Sequence, residues 1–431
     1  MPSLPSRNTW SDFDALCMRR AVELSVLGRP SPNPCVGALI AKNGKILGEG
    51  YHARAGQAHA EVAAIRDVRE KHGSRADALL RGSTLYVTLE PCAHHGLTPP
   101  CTDAILAGKM KEVVFSMHDP NKSVRGGGAK LLARAGVKVR SGLFCDSACA
   151  INAAFISRCE RKRPFLTLKM AMSLDGKSAT RLGDSKWISS EKSRELVHLM
   201  RAKCGAILVG AGTVVKDDPH LTARVDPARS EKRGRIAESP SPAGAAGAGL
   251  GLSFSSIGLV ADPLRVIVDG GLKIPLHAKA LADGNVLIAT LATKDKSRLA
   301  KLQKIRAAGV GVIVCPAISR DNMDLRHVLA HLHNLGINHV LCEGGPELAA
   351  RLLKQSLVDE MLLFVAPKII GGRAAPGPVG GEGARRMQDA VPGELAAVYP
   401  VGGDVLLCAH VGPFALKFPK RILGPVWPRY P

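Results

Sequence analysis

Four side chains able to bind a metal, Cys92, His94, His95 and Cys101, fall within one stretch of thirteen residues, LEPCAHHGLTPPC (89–101). Upstream, AHAEVAAIRDV (58–68) sets His59 two positions before Glu61 at the start of a helical pattern. His59, Cys92 and Cys101 could supply three ligands to Zn²⁺ and leave a fourth position for water, whose pKa zinc lowers to about 7. Glu61 would stay off the metal and carry protons from that water to a substrate nitrogen and to departing ammonia. Two other readings remain open on spacing alone. His94 or His95 could replace a cysteine, or a Cys₂His₂ set could be purely structural and leave Glu61 idle.

The elements around these residues suit the first reading. TLYVTLE (84–90) reads as a buried strand that brings Cys92 to the carboxyl end of a sheet, where α/β folds place their ligands. Pro99 and Pro100 put Cys101 in the first turn of a helix, whose dipole favours a thiolate. Further out, 11–27 looks helical, and VGALIAKNGKILGEGYH reads as a hairpin turning at Asn43-Gly44. A helix over about 59–71, a strand at 113–117, a helix at 128–136 and the short strand VKVRSG complete a three-layer α/β domain over 11–157.

After the basic stretch RCERKRP (158–164) a second α/β domain is expected over 164–415. Strands are read at FLTLKMAMSLDG, 206–214, 264–271, 285–290, 311–316, 339–345 and 360–372, with helices near 191–203, 296–308, 322–335 and 346–356. This half has no G-x-G-x-x-G after a strand, so a Rossmann site is not supported. It does have HVLCEGGPELAARLL (339–353): a strand, two glycines, then Pro346 at a first helical position, a helix start that can receive an anion. Residues 228–258 are rich in Ala, Gly, Ser and Pro and read as a flexible insertion, and 417–431 as an appendage.

Composition narrows the partners. Net charge is +22, which favours phosphorylated metabolites, a dinucleotide or nucleic acid. Aromatic residues are only 4% of the chain, too few for a base-stacking platform, so nucleic acid is not the expected partner. No run of about 18 apolar residues predicts a membrane span, and the first residues lack the apolar core of a secretory signal. Eleven scattered cysteines fit a reducing compartment, so a cytoplasmic enzyme is expected, as is a homo-oligomer.

The His-x-Glu…Pro-Cys pattern matches the zinc deaminase signature, with its second cysteine displaced from the short C-x-x-C spacing. HAE, TLEPCAHHGLTPPC, PNPCVGALI (32–40) and DPNKSVRGGGAKLLARAGVKV (119–139) together resemble the deaminase half of the bifunctional riboflavin biosynthesis deaminase–reductases. KMAMSLDGKSA, GDSKWIS, VGAGTVVKDDPHLTAR and CEGGPEL, spread over about 165–408, resemble the reductase half. The resemblance implies a cytidine deaminase-like domain followed by a dihydrofolate reductase-like domain that uses NADPH. It implies zinc on His59, Cys92 and Cys101, with Glu61 catalytic and Asn33, His52 and His94 lining the pyrimidine pocket. In the second half it implies NADPH contacts at Ala171, Trp187, Thr213, Asp217, Gly345, Pro346, Glu347 and Leu348. Ser185, Arg201, Leu221, Arg224 and Glu343 would hold a ribosylaminouracil. The implied reactions are removal of the 2-amino group of a phosphoribosyl-diaminopyrimidine, then reduction of the ribosyl group to ribityl. Two positions depart from the family: Leu97 stands where members carry Arg or Lys, and Lys122 where proline is common. Lys122 or Arg125 could then supply the missing anchor. A nucleotide deaminase with an inert second half, a zinc-fold RNA-binding protein, and a damaged deaminase beside a working reductase are the rival readings.

Overall fold

The computed structural model describes residues 10–412, apart from 97, 123, 225–261 and 320–321. Leu97, the expected insertion and the expected appendage therefore lie outside the described residues. The chain divides into two compact units between Arg161 and Lys162.

The first unit holds a five-stranded sheet: β1 (Gly37–Lys42), β2 (Lys45–Tyr51), β3 (Thr84–Leu89), β4 (Glu112–Met117) and β5 (Lys138–Ser141), in the order β2-β1-β3-β4-β5. β1 runs antiparallel to β2 and β3, whereas β3, β4 and β5 are parallel. Strand alternation sorts the side chains to two faces. Leu39, Ala41, Tyr86 and Val114 meet Cys17, Met18 and Ala21 of α1 (Asp12–Ser25). Ile40, Leu85, Val87, Val113 and Phe115 form the opposite core with Ala60, Ala64, Ile65 and Val68 of α2 (Ala60–His72), Ile105 of α4 (Cys101–Ala107) and Leu132 of α5 (Gly127–Arg134). A short α3 (Ala76–Leu80) lies between α2 and β3.

A buried polar knot fixes α1 to the sheet. Asp14 completes a capping box with Ser11, accepts from Tyr86 Oη at 2.7 Å and receives both terminal nitrogens of Arg140 at 3.1 and 3.2 Å. Burial alone would raise its carboxyl, but Arg140, Tyr86 and Ser11 outweigh that and hold it at about 2. Two helices absent from the sequence reading close this unit, α6 (Cys145–Ile151) and α7 (Ala153–Arg161).

The second unit is a nine-stranded sheet in the order β10-β9-β8-β7-β13-β6-β14-β16-β15. Its strands are β6 (Phe165–Ser173), β7 (Ala206–Gly210), β8 (Leu264–Val268), β9 (Val286–Leu291), β10 (Gly311–Cys315), β13 (His339–Cys342), β14 (Glu360–Ala366), β15 (Gly393–Val401) and β16 (Asp404–Val411), with a small separate ribbon of β11 (Ala317–Ser319) and β12 (Asn322–Met323). From β10 to β14 all neighbours are parallel, and β16 and β15 add an antiparallel hairpin. The helices are α8 (Glu191–Lys203), α9 (Ala211–Asp217), α10 (Lys296–Ala307), α11 (Leu325–Asn334) and α12 (Pro346–Lys354). α11 and α12 cover one face through Val328, Leu329, Leu332 and Leu352. α9 and α10 cover the other through Val214, Leu302 and Ile305.

Several expectations need correction. The strand read over 206–214 ends at Gly210, and Ala211 opens α9. The strand read over 360–372 stops at Ala366: Pro367 has no N–H for the ladder, and the N–H groups of Ile370 and Gly371 donate to Asp175 at 3.1 and 2.7 Å. The helix read over 322–335 starts at Leu325, because Asp324 caps it by accepting from Arg326 N at 3.0 Å. The β15–β16 hairpin was not foreseen, although Gly402-Gly403 sits at its turn.

Candidate functional site

At the carboxyl end of β3 the chain turns through Glu90-Pro91 to Cys92, and Cys101 opens α4. His59 is the N-cap of α2. These three segments bring His59 Nδ1 to 3.2 Å from Cys101 Sγ and 3.6 Å from Cys92 Sγ, and all three ligand atoms lie within 4.8 Å of one another. Tetrahedral zinc, with bonds of roughly 2.0–2.1 Å to nitrogen and 2.3 Å to sulfur, separates such atoms by about 3.6 Å. The donor set and its spacing therefore fit zinc.

The electrostatics agree. The Cys101 thiol and the His59 ring hold the Cys92 thiol well below its ordinary value, despite its burial. Cys101 is pushed far up by the Cys92 sulfur beside it and by burial, so two thiolates can share this space only beside a cation. Glu61, one helical step inside α2, is 4% exposed, and burial lifts its carboxyl to about 6. A carboxyl there can hold or release a proton near neutral pH.

His59 Nε2 lies 3.3 Å from Thr98 Oγ1, so a proton on Nε2 leaves Nδ1 as the metal-facing lone pair. His52 Nδ1 must donate to the Ala58 carbonyl at 3.1 Å, so its Nε2 accepts from Asn33 Nδ2 at 3.2 Å. The His52 ring meets the His59 ring edge-on at 5.2 Å. Asn33, His52 and His59 are thus one contiguous set. His94 and His95 are exposed and lie outside the ligand cluster.

The sequence reading missed three residues here. Thr98 orients the ligand histidine. Glu90 is buried and accepts from Gly126 N, Ala129 N and His118 Nδ1 at 3.0, 3.2 and 2.9 Å, fixing the start of α5 against the Pro91 turn. A Cβ on Gly128 would lie 1.8 Å from the Pro91 carbonyl oxygen, so only glycine permits this approach. Asp119, just past β4, is pushed up by burial and by the charges of Glu90 and Cys92, with His94 opposing. Its place after a parallel strand, beside β3, was the available signal.

In the second unit the charge centre is an ion pair. Arg201, at the end of α8, meets Glu343, just past β13, through Nε at 2.6 Å and a terminal nitrogen at 2.9 Å. Arg201 also donates to the Thr222 carbonyl at 3.2 Å, which ties it to the segment carrying Leu221 and Arg224. Burial would raise the Glu343 carboxyl, but Arg201, Lys169 and His198 hold it below its ordinary value. Lys169 of β6 was not singled out from sequence. Burial lowers its amine, Glu343 supports it, and the nitrogen sits 5.5 Å over the Phe364 ring.

The helix start that follows Glu343 has no side chain over its first N–H groups. Gly345 is the N-cap of α12, Pro346 follows, and no side chain caps the helix. A Cβ on Gly345 would meet only Thr213 Oγ1, at 3.4 Å, which places Thr213 beside it. This arrangement fits a dinucleotide phosphate. Glu347 instead accepts from Gly381 N at 3.2 Å, and the Leu348 side chain is in the core, so only its backbone faces the helix start. Ala171 lies on β6, paired with Phe364. Ser185 and Trp187 belong to a separate loop, where Trp187 is exposed beneath the Arg194 guanidinium at 4.5 Å. Lys216 donates to the Gly183 carbonyl and links that loop to α9, which ends at Asp217. Leu221 is buried and Arg224 exposed.

The first unit thus has the fold and ligand set of a zinc-binding deaminase, and it is joined to an α/β reductase unit. Residues 11–117 match the family model of the cytidine and deoxycytidylate deaminase zinc-binding region, and 164–407 match that of the RibD C-terminal domain. The riboflavin biosynthesis proteins RibD of Aquifex aeolicus and Escherichia coli are each 36% identical to this chain, covering 92% of it and 98% and 99% of their own lengths. The solved RibD of Acinetobacter baumannii superposes with a TM-score of 0.74 at 32% identity, over 93% of this chain and 99% of its own. A diaminohydroxyphosphoribosylaminopyrimidine deaminase/5-amino-6-(5-phosphoribosylamino)uracil reductase from Thermotoga maritima gives 0.72 at 32%, with the same coverage. The chain belongs to the RibD family of riboflavin biosynthesis: a bifunctional enzyme with a zinc-binding deaminase domain and an NADPH-using reductase domain. Among the described residues no helix is long and apolar enough to cross a membrane.

Proposed function

We propose that the first unit hydrolyses the 2-amino group of 2,5-diamino-6-(5-phosphoribosylamino)pyrimidin-4(3H)-one, and that the second reduces 5-amino-6-(5-phosphoribosylamino)uracil to its ribityl form. The observation that carries the first assignment is the convergence of His59 Nδ1, Cys92 Sγ and Cys101 Sγ beside the buried Glu61. His59, Cys92 and Cys101 hold zinc, which when bound supplies a Lewis acid that makes water reactive at neutral pH. Glu61 would take one proton from that water and pass it to the ring nitrogen; as the C–N bond breaks it would take the second proton from the adduct's hydroxyl, which becomes the carbonyl, and pass it to the departing amine, so that ammonia leaves and the carboxylate is restored. Burial supports this role by keeping its two protonation states close in energy. Asn33 and His52 hold the pyrimidine, with His94 at the rim.

In the second unit Gly345, Pro346, Glu347 and Leu348 at the start of α12, with Ala171, Trp187, Thr213 and Asp217, hold NADPH. The cofactor when bound supplies the hydride that opens the ribosyl group. Arg201 and Arg224 bind the substrate phosphate through charge-assisted bonds, while Ser185, Leu221 and Glu343 position the rest. The pairing of Arg201 with Glu343 supports this by fixing a guanidinium that would otherwise sweep many rotamers. The enzyme acts on small molecules in the cytoplasm, a reading its eleven free cysteines support. It works as a homo-oligomer. The edge strand β15, with Leu395 and Val398 exposed, supports self-association, and sedimentation would give the number of copies.

The test supplies the diaminopyrimidine together with NADPH and records ammonia and NADPH absorbance in one cuvette. Ammonia release followed by equimolar NADPH oxidation is expected. Ammonia without oxidation would refute the reductase assignment.

A further inference from the structure

We propose that Arg29 and Arg54 form an anion subsite at the rim of the deaminase pocket and take the phosphate of its substrate, an inference that rests on the deaminase reading above. Two loop segments run side by side there. Arg29 N–H donates to the Ala53 carbonyl at 2.8 Å, and Arg29 and Arg54 are partners in an isolated parallel bridge. Gly28 lies so close that a Cβ on it would be 2.0 Å from the His52 carbonyl oxygen. Each segment also carries a pocket residue. The Pro30 carbonyl accepts from Asn33 N at 2.8 Å, closing the turn that presents Asn33, and the Arg54 carbonyl accepts from Gln57 N at 3.1 Å in the loop between His52 and His59. The Asn33–His52 hydrogen bond of 3.2 Å joins the two segments a second time. The backbone therefore fixes both arginines to the residues that hold the pyrimidine.

Both arginines are exposed, and neither is paired with a carboxylate among the described residues. Though it reaches solvent, the Arg29 guanidinium is partly enclosed by the protein, and this, followed by the Arg54 charge, shifts it below its ordinary value. Arg140 and Arg201, by contrast, each meet a carboxylate. Two like charges held together without one form a standing attraction for an anion. Guanidinium forks suit the geometry of a phosphate better than ammonium groups do. A phosphoribosyl substrate needs such a contact some distance from the ring, and these residues sit on the segments that grip the ring.

The experiment measures ammonia release by the full-length zinc-loaded chain, with the phosphorylated pyrimidine and with its dephosphorylated form. Arg29→Ala and Arg54→Ala should each raise KM for the phosphorylated substrate about tenfold, the weight of one charge-assisted bond. KM for the dephosphorylated form and the zinc content should not change. Lysine at either position should recover most of the loss, which guards against a folding defect. KM values that stay put, or that rise equally for both substrates, overturn the inference and leave the deaminase reading standing. So does a phosphate-specific loss confined to Lys122→Ala and Arg125→Ala. A wild-type chain that releases no ammonia overturns the deaminase reading, and this inference with it.

Discussion

In the first unit the ligand and proton-transfer atoms come from two short stretches, 59–61 and 92–101, anchored at a helix start and a strand end. In the second, the residues proposed for cofactor and substrate are drawn from β6, the 174–190 loop, α8, the segment from Thr213 to Arg224, and the turn into α12. A metal forces its ligands to within a few ångströms of one another and restricts their types, so the sequence carries a compact mark. A dinucleotide and a phosphosugar spread their contacts over a long cleft and accept backbone groups from any residue. The first kind of site fails all at once when one atom is removed. The second should fail by degrees.

Mutations can sharpen that contrast. Cys101→Ser should abolish it at one end: metal analysis should fall from one zinc per chain to none, with ammonia release lost and NADPH oxidation on the uracil substrate kept. A full zinc complement in that variant would remove Cys101 from the ligand set. Glu61→Gln should keep the zinc and cut ammonia release by about 10²–10⁴, the usual worth of a positioned general acid–base group. Undiminished release would mean that protons travel another way. Arg201→Ala should raise KM for the reductase substrate by roughly a hundredfold, because it would remove the proposed phosphate contact and strand Glu343. NADPH affinity should stay within a factor of a few; equal losses would place Arg201 on the cofactor.

Thr98→Val should weaken zinc binding by about tenfold, as loss of an outer-shell partner does, measured by competition with a chelator. The smallest effect concerns the frame rather than a site. The Asp14 carboxyl is held at about 2 in the fold against an ordinary 3.8, burial being outweighed by Arg140, Tyr86 and Ser11. A depressed carboxyl contributes stability above its unfolded pKa and loses it as pH falls through the folded value. Asp14→Asn should therefore destabilise the first unit by on the order of 2 kcal/mol at pH 7 and by nearly nothing close to pH 2, in denaturant titrations. A gap between the two proteins that persists at pH 2 would mean that Asp14 acts through packing.

Legibility followed the same division. His59, Glu61, Cys92 and Cys101 could be proposed from type and spacing, with His94 and His95 still open as alternative ligands, and the strand and helix that position them could be read as well. Thr98 and Glu90 could not, since a threonine and a glutamate beside a motif have many ordinary uses and only the His59 and Gly126 contacts single them out. In the second unit Arg201 and Glu343 came from the family resemblance, and nothing in their own surroundings marks two residues 142 positions apart as partners. Lys169 was hidden because FLTLKMAMS reads as a strand in which a lysine is an ordinary polar position. Leu348 shows the reverse: the proposed cofactor contact would use a backbone position whose side chain belongs to the core. The β15–β16 hairpin went unread because its polar and apolar positions alternate imperfectly, as the register shift between Leu395 and Ala397 explains.

The most direct test of two separate centres in one chain uses Glu61→Gln with both substrates. On the diaminopyrimidine it should release almost no ammonia and oxidise no NADPH. On the phosphoribosylaminouracil it should oxidise NADPH at the wild-type rate. Loss of that second activity, or NADPH oxidation on the first substrate, would contradict the division of labour.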